Sequence, residues 1–228
     1  EVHDTRVMSG RGSNTGDGNP TSDAALEEQC MHCFDVILAK LFNTPPPPTN
    51  FPGGQFPLFV TWNIKNARGR EELRGCIGNL SPMDILVGVG KYAGVAAFED
   101  TRFAPIAVSE VQALSCGVTL LHTYEEARHH LDWVIGTHGM MIDFKDDQGT
   151  AYSGTYLPFV CEEQGWAQEE CIDSLVRKAG YRGHIDAPLR QRLRLTRYQG
   201  CKKTVDFGSF RQARLLAGLW HPLWPPPN

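Results

Sequence analysis

The chain has 228 residues, of which 41% are hydrophobic and 21% charged, and its formal net charge at pH 7 is −4. This composition is that of a globular protein with one large or two modest domains, and it excludes disorder of the whole chain. The net charge supplies no global attraction for nucleic acid or acidic membranes, and no apolar run reaches the length of a membrane span.

The cysteine content favours a reducing compartment. Seven cysteines are spread along the chain without the dense spacing of a secreted disulfide scaffold. The sequence shows no signal-peptide pattern of charge, apolar run and small residues. We therefore expect reduced thiols, a location in the nucleus, the cytoplasm or both, and no association with membranes.

The first part of the chain predicts a leader, a helix and a strand. Residues 1–22 are rich in Gly, Ser, Asn, Asp and Thr, which predicts a disordered leader because such a segment cannot repay the entropy of ordering. From Asp23 to about Phe42, apolar residues recur at spacings of three and four, which predicts a helix. After four prolines, the aromatic and β-branched residues of 56–64 predict a strand.

The next segment contains the sequence "ELRGCIGNLSP", which runs from Glu72 to Pro82. The segment "NARGREE", which overlaps the start of this stretch, predicts a hairpin connection. "LRGCIGNL" then predicts the returning strand or its end. Ser81 and Pro82 offer an N-cap and a first-turn proline for a helix that reaches about Glu99. This interpretation places Cys76 at a strand-to-helix junction.

Strands and helices interleave in the rest of the chain. "VQALSCGVTLL" alternates apolar residues on one face, as a half-buried strand does, and "YEEARHHL" is typical of a short helix. "GMMIDF" and "TAYSGTYL" predict a hairpin, "ECIDSLVRKAG" a helix ending at Gly180, "RLRLTRY" a strand, and residues 216–228 an unstructured tail. Because regular βαβ spacing is absent, we predict an α+β fold with largely antiparallel or mixed sheets and flanking helices.

Cys76 is the first candidate for a functional residue, because it lies between Gly75 and Gly78. Glycine at such positions permits unusual backbone angles or a close approach to the chain. Arg74 lies on the same strand face and would favour a thiolate, and His138 in "GTHGMM" is the histidine we prefer as a base for a catalytic cysteine. Free cysteine is also among the most buried residue types, so an inert packing role stays open.

The two cysteines of "CMHC", Cys30 and Cys33, are predicted to pack in the core. A structural zinc site needs four ligands, and the sequence has no second pair with comparable spacing. Their spacing of three puts both sulfurs on the apolar face of the predicted helix. The common nucleotide-binding and hydrolase signatures are also missing, so we expect no metal and no cofactor.

Basic residues concentrate near the C-terminal end, where nine of them and a single acid lie between Arg177 and Lys203. Arg190, Arg192 and Arg194 alternate, so on a strand they would project from one face. Such a face could follow a phosphate backbone or bind an acidic protein surface. The alternative is an ordinary solvated sheet face.

From about residue 25 to about 215, the sequence resembles the AMMECR domain family, named for the Alport syndrome, midface hypoplasia and elliptocytosis chromosomal region, and in particular its eukaryotic branch. The hallmark of that family is the hexapeptide "LRGCIG", here Leu73 to Gly78. Further segments match in order: "PLFVTW", "DTRFAPI", "LDWVIGTHGMMI", "TYLPFVCEEQGW", "IDSLVRKAGY" and "LTRYQ". His138, Tyr156 and Lys178 fall on matched positions.

The resemblance implies two unequal subdomains within residues 23–215, a larger one built from both chain ends and a smaller one inserted in the middle, with the hexapeptide near the groove between them. It also implies a regulatory role in transcription, translation or nucleic-acid metabolism rather than a defined reaction. In some prokaryotic relatives the domain occurs with radical-SAM and dioxygenase-like partners, which points towards modification chemistry.

Two functions follow from the residues and the resemblance. The favoured one is a regulatory or binding protein whose groove binds an anionic ligand, a nucleic acid or a partner protein. Its expected binding residues are Arg74, Gly75, Gly78, Tyr156, Lys178, Arg190, Arg192 and Arg194. The alternative is a cysteine-dependent enzyme of modification or transfer chemistry, in which Cys76 acts with His138.

Overall fold

A computed structural model describes residues 20–224. Within these residues six α-helices are formed: α1 Asp23–Phe42, α2 Ile85–Phe98, α3 Val160–Gln164, α4 Gln168–Lys178, α5 Ala187–Arg192 and α6 Phe207–Leu216. The strands are β1 Gln55–Lys65, β2 Glu71–Asp84, β3 Leu114–Glu126, β4 Gly139–Lys145, β5 Ala151–Tyr156 and β6 Arg194–Asp206, with a 3-10 helix at Val108–Ala113. Nearly all of the predicted leader and the last four residues of the predicted tail lie outside the described residues.

The six strands form one curled sheet in the order β2-β1-β3-β6-β4-β5, and every neighbouring pair is antiparallel. The prediction of an α+β fold with largely antiparallel pairing is confirmed. Strands β2 and β5 form the two edges of the sheet. The hexapeptide therefore lies on an edge strand.

Two hydrophobic cores pack against this sheet. The larger core contains Phe34, Trp62 and Phe210, and it draws on both ends of the described chain, from Leu26 to Trp224. The smaller core draws only on residues 133–195. Because both cores share one continuous sheet, the division into two subdomains stays a prediction.

Helix α1 has the predicted bounds and joins the two ends of the chain. The Ser22 side chain accepts a hydrogen bond from the Ala25 N–H and caps the helix. Further along α1, the buried carboxylate of Asp35 accepts from Arg214 of α6, with a shortest distance of 2.7 Å. The larger core is thus closed by a buried ion pair between the first and last helices.

The predicted start of α2 is wrong. Ser81 and Pro82 belong to β2, which runs to Asp84, and the Asp84 carboxylate caps α2 by accepting from the Leu86 N–H. Proline is tolerated in an edge strand because its missing N–H can face away from the neighbouring strand. Cys76 therefore lies well inside β2 rather than at a strand-to-helix junction.

The predicted helix over "YEEARHHL" is also wrong. Strand β3 continues to Glu126 after an irregularity between His122 and Glu125, where Thr123 takes a left-handed φ of 53°. Pairing with β6 resumes at Glu125 and Glu126, so backbone hydrogen bonds in the sheet prevail over the local helix pattern. The first eight residues of β3 are buried on both faces rather than on one.

Two further features of the structure, a disulfide and a buried tryptophan near the end of the described chain, were not predicted. The structure joins Cys161 and Cys171 in a disulfide, so the prediction of reduced thiols is wrong for this pair. Past α6 no helix or strand is described, yet Trp224 is buried against Phe210 and Trp220. Among residues 20–224, no helix combines the length and apolar character needed to cross a membrane.

Candidate functional site

The hexapeptide site is built on the free edge of β2. The backbone N–H of Cys76 donates to the Asp100 carboxylate at 2.9 Å, and the Arg102 guanidinium donates to the Cys76 carbonyl at 3.0 Å. These two side chains take the place that a further strand would occupy. They protect the edge against unspecific strand pairing, and they fix the loop after α2 against the motif.

The ion pair between Asp100 and Arg102 holds this cap together. Arg102 donates to both carboxylate oxygens of Asp100, with a shortest distance of 2.7 Å. The guanidinium holds the pKa of the buried Asp100 carboxyl well below its usual range, and the bond from the Cys76 N–H adds to the shift. Asp100 is therefore a fixed negative charge, while about half of the Arg102 side chain stays exposed.

Both glycines of the motif contact the protein's own atoms. A Cβ at Gly75 would lie 2.1 Å from the carbonyl oxygen of Ala96 in α2. A Cβ at Gly78 would lie 2.3 Å from the Phe59 ring. The expected close approach at these positions is thus made by a helix and a neighbouring strand, and neither glycine leaves space for a ligand.

A β-bulge in β2 sets the direction of the Arg74 side chain. The pairing of β1 and β2 moves from Trp62–Gly75 to Asn63–Leu73, so Arg74 is the extra residue on β2. Its Nε and Nη2 atoms donate to Glu110 at 2.7 and 3.1 Å, which lowers the pKa of that carboxyl. The third nitrogen, Nη1, is buried and has no hydrogen-bond partner.

An aromatic ring joins the two arginines of the site. The Phe103 ring centroid lies 6.0 Å from the guanidinium carbon of Arg74 and 5.4 Å from that of Arg102. Both distances are within the range of cation–π attraction. Arg74, Arg102 and Phe103 therefore form one cluster. Cys76 lies on β2, the strand that carries Arg74.

The thiol of Cys76 bonds to a hydroxyl rather than to a histidine. Its Sγ lies 3.2 Å from the Oγ1 of Thr61, and among residues 20–224 no histidine forms a hydrogen bond with it. His138 precedes β4, which is separated from β2 by three strands in the sheet order, and its Nδ1 accepts from the Val134 N–H. The predicted pairing of Cys76 with His138 is not formed.

Tyr156 and Lys178 lie together, but beside the smaller core, against which Tyr156 packs. The Lys178 ammonium is 4.6 Å from the centre of the Tyr156 ring and donates to the Thr155 carbonyl at 2.8 Å. Burial lowers the pKa of Lys178. These contacts fix α4 on the edge strand β5, and they do not place either residue beside Arg74.

The three alternating arginines do not form a strand face. Arg190 and Arg192 belong to α5, and only Arg194 belongs to β6. Each binds a carboxylate: Arg190 binds Asp173 at 2.7 Å, Arg192 binds Asp147 at 2.6 Å and Arg194 binds Asp143 at 3.1 Å. The helix signal was present in the sequence, because Asp186 is its N-cap and Pro188 follows in the first turn.

The cysteines of "CMHC" pack as predicted. Cys30 and Cys33 have no exposed surface, and Cys116 of β3 lies beside them in the larger core. Burial raises the pKa values of the Cys33 and Cys116 thiols. Within the described part of the chain, no three His, Cys, Asp or Glu side chains are placed to hold a metal ion.

Sequence analysis missed four residues of the site: Asp100, Arg102, Phe103 and Glu110. Three of them belong to "DTRFAPI", a segment that was noted only for its resemblance. An acid and an arginine two residues apart, followed by an aromatic residue, form a signal for a local ion pair, but nothing in the spacing indicates which backbone the pair will cap.

Comparison with known proteins gives a consistent result. The family model AMMECR1 matches residues 23–203. An uncharacterized protein of Arabidopsis thaliana is 41% identical over 82% of this chain and 88% of its own length, and one of Schizosaccharomyces pombe is 38% identical over 70% and 83%. The crystal structure of uncharacterized protein PH0010 from Pyrococcus horikoshii is similar with a TM-score of 0.65 and 26% identity, covering 80% of this chain and 92% of that one.

Proposed function

Because the chain belongs to the AMMECR1 family, we propose that it is a binding protein whose site is the cluster of Arg74, Arg102 and Phe103 beside Cys76. The ligand is an anionic group, a carboxylate or a phosphate, carried by a small molecule or by a partner protein. The observation that carries this proposal is the buried Nη1 of Arg74, which has no acceptor.

An unpaired buried donor needs an explanation, because leaving it unsatisfied costs about 1–3 kcal/mol. Glu110 occupies the Nε and Nη2 atoms of Arg74, so the guanidinium is fixed in one orientation with its last nitrogen free. An acceptor oxygen from a ligand would satisfy this nitrogen. The Phe103 ring, next to the same guanidinium, would cover one side of such a contact.

The charge balance of the cluster limits the kind of ligand. Arg74 is paired with Glu110 and Arg102 with Asp100, so the four charges sum to zero. A long polyanion gains little from such a site, since its affinity depends on neutralising many phosphates. A single carboxylate or phosphate suits it better. Leu73, whose side chain is 43% exposed, precedes Arg74 and offers apolar contact to a partner.

The alternative of a cysteine-dependent enzyme finds less support. A catalytic thiol needs a base within hydrogen-bond reach, and the bond that Cys76 forms is to Thr61. Its backbone groups are occupied by Asp100 and Arg102. In our proposal Cys76 is a positioning residue of the edge strand.

The test is an NMR titration of the protein with acetate and with inorganic phosphate at low salt. We expect the amide signals of Gly75 and Cys76 to shift in a saturable way. Arg74→Lys keeps the positive charge for Glu110 but lacks the planar fork, so we expect about tenfold weaker binding, the loss of one charge-assisted hydrogen bond.

The matched control is Arg68→Lys in the exposed turn between β1 and β2. This variant should bind both probes with unchanged affinity. Cys76→Ser should also bind nearly as well, because the thiol is not the contact that we propose. Absence of saturable shifts, or equal affinity in Arg74→Lys and the unmodified protein, would contradict the proposed function.

A further inference from the structure

A concave surface lies where β3 ends and β6 begins. It has a volume of about 480 Å³ and is lined by Glu126, Ala127, Arg128, His129, His130, Gln191, Arg192, Leu193 and Arg194. None of the residues of the hexapeptide site contributes to it. We refer to it as the histidine–arginine pocket.

The fold builds this pocket where two segments leave the sheet. Strand β3 ends at Glu126, and the next residue, Ala127, donates its N–H to the Leu195 carbonyl at 2.8 Å. The following turn is fixed by the Trp133 indole, which donates to the His130 carbonyl at 3.0 Å. On the other side, α5 ends at Arg192, just before β6. The pocket walls are thus held by hydrogen bonds of the backbone.

The lining is rich in basic side chains. It contains three arginines, two histidines and one glutamate. Each of the three arginines is ion-paired with a carboxylate outside the lining, namely Asp132, Asp147 or Asp143.

Each arginine keeps hydrogen-bond donors for a ligand. A guanidinium has five N–H donors, and Arg192 uses only its Nη1 for Asp147, while Arg194 uses its Nε for Asp143. In addition, the Nδ1 atom of His130 is buried and has no partner. The pocket therefore offers unused guanidinium donors, from which phosphate oxygens can accept charge-assisted hydrogen bonds.

We propose that the histidine–arginine pocket binds a phosphate-bearing small molecule, with Arg192 and Arg194 as the main phosphate contacts and Arg128 as a third. The volume is within the range of small-molecule sites, about 300–1,000 Å³. Because each arginine is already paired with a carboxylate, an extended polyanion, whose affinity depends on neutralising many phosphates, gains little here. This favours a compact phosphate ester over nucleic acid.

The inference is independent of the proposed function, because the two sites share no residue. Pyrophosphate is the probe, measured by isothermal titration calorimetry on the whole chain at low salt. We expect the double variant Arg192→Gln, Arg194→Gln to bind pyrophosphate at least about tenfold more weakly than the unmodified protein.

The matched control removes the same number of charges elsewhere. Arg68→Gln with Arg70→Gln changes two exposed arginines of the turn between β1 and β2 and should leave the affinity unchanged. The Arg192–Asp147 and Arg194–Asp143 pairs are exposed, so their loss should leave the fold intact, which circular dichroism checks. If the double variant fails to fold, Arg128→Gln replaces it, with an expected loss of the same sign.

Three outcomes would overturn the proposal. One is the absence of pyrophosphate binding at about 1 mM. Another is an equal loss of affinity in the pocket variant and in the control variant, which would indicate a general charge effect. The third is tighter binding of a single-stranded RNA oligonucleotide than of pyrophosphate, abolished by the same variant, which would assign the surface to nucleic acid.

Discussion

At the scale of the residue, contacts decide roles that residue type leaves open. Arg74 and Arg102 are both arginines beside the same Phe103 ring. The β-bulge directs Arg74 towards Glu110 and leaves one buried nitrogen of Arg74 without a partner. Arg102 instead caps the backbone of Cys76. The first is therefore suited to binding, and the second to holding the edge strand.

The free cysteines should differ in reactivity for the same reason. We expect iodoacetamide to modify Cys76 at least about tenfold faster than Cys33 and Cys116, because Cys76 is partly exposed while burial protects the other two and raises the pKa of their thiols. Mass spectrometry of the native protein over time gives the rate at each site. In guanidinium the rates should become similar, and a native Cys116 as fast as Cys76 would contradict the described core.

Residue patterns could predict the packing of two cysteines but not the contacts of Cys76. The spacing of Cys30 and Cys33 within an apolar helix face was sufficient to predict their packing. The partner of Cys76 was not predictable, because Asp100 is 24 residues away and reaches the strand through a loop. Neither residue type nor local periodicity indicates that contact.

At the scale of the element, the hexapeptide packs β2 closely against α2. The small residue at Gly75 lets the Ala96 carbonyl come close to the strand backbone. The motif therefore sets the distance between a strand and the helix that covers it. The same contact places the loop with Asp100 and Arg102, which follows α2, over the edge of β2.

Two glycine-to-alanine changes should have opposite effects on stability. Gly75→Ala would place a methyl group against the Ala96 carbonyl, so we expect a loss of about 1–3 kcal/mol in the free energy of unfolding. Gly94 lies in α2 with nothing within 4 Å of its added Cβ, so Gly94→Ala should gain about 0.5–1 kcal/mol. Urea unfolding measures both. Equal effects would show that the close contact at Gly75 is not formed.

Local signals predicted elements well where sheet pairing did not compete. Helix α1 and the β4–β5 hairpin have clear periodicity and turn residues, and both were predicted. The segment after His122 has a helical pattern of charges but pairs with β6 instead. Its partner strand lies more than seventy residues further along the chain, so its sequence alone gave no sign of the pairing.

At the scale of the molecule, both ends of the described chain close one core. Helix α1 packs against β6 and α6, and the buried Arg214 of α6 reaches Asp35 and Glu28 of α1. Helix α1 was predicted from its local pattern and α6 was not, and the meeting of the two depends on the order of the strands. Because β6 lies between β3 and β4, that order is set by pairings between distant segments.

His32 of α1 is buried beside Phe51 and beside Gly90 of α2, which should make stability depend on pH. Burial, and secondarily the charge of Arg214, lower the pKa of His32 to about 4, whereas an unfolded histidine titrates near 6.5. Between these values the His32 side chain binds more protons in the unfolded than in the folded state, so its contribution to the free energy of unfolding falls as the pH is lowered from about 7 to about 4. The contribution of His32 to this fall is up to about 3 kcal/mol.

The variant His32→Leu should lose this part of the pH dependence, because it keeps an apolar side chain in the core and has no group to titrate. Urea unfolding at a series of pH values measures it, and the difference between the two proteins isolates His32 from other groups such as Asp35. His184→Gln, at an exposed position, should retain the slope of the unmodified protein. If His32→Leu shows that slope as well, then His32 is not held neutral by its burial.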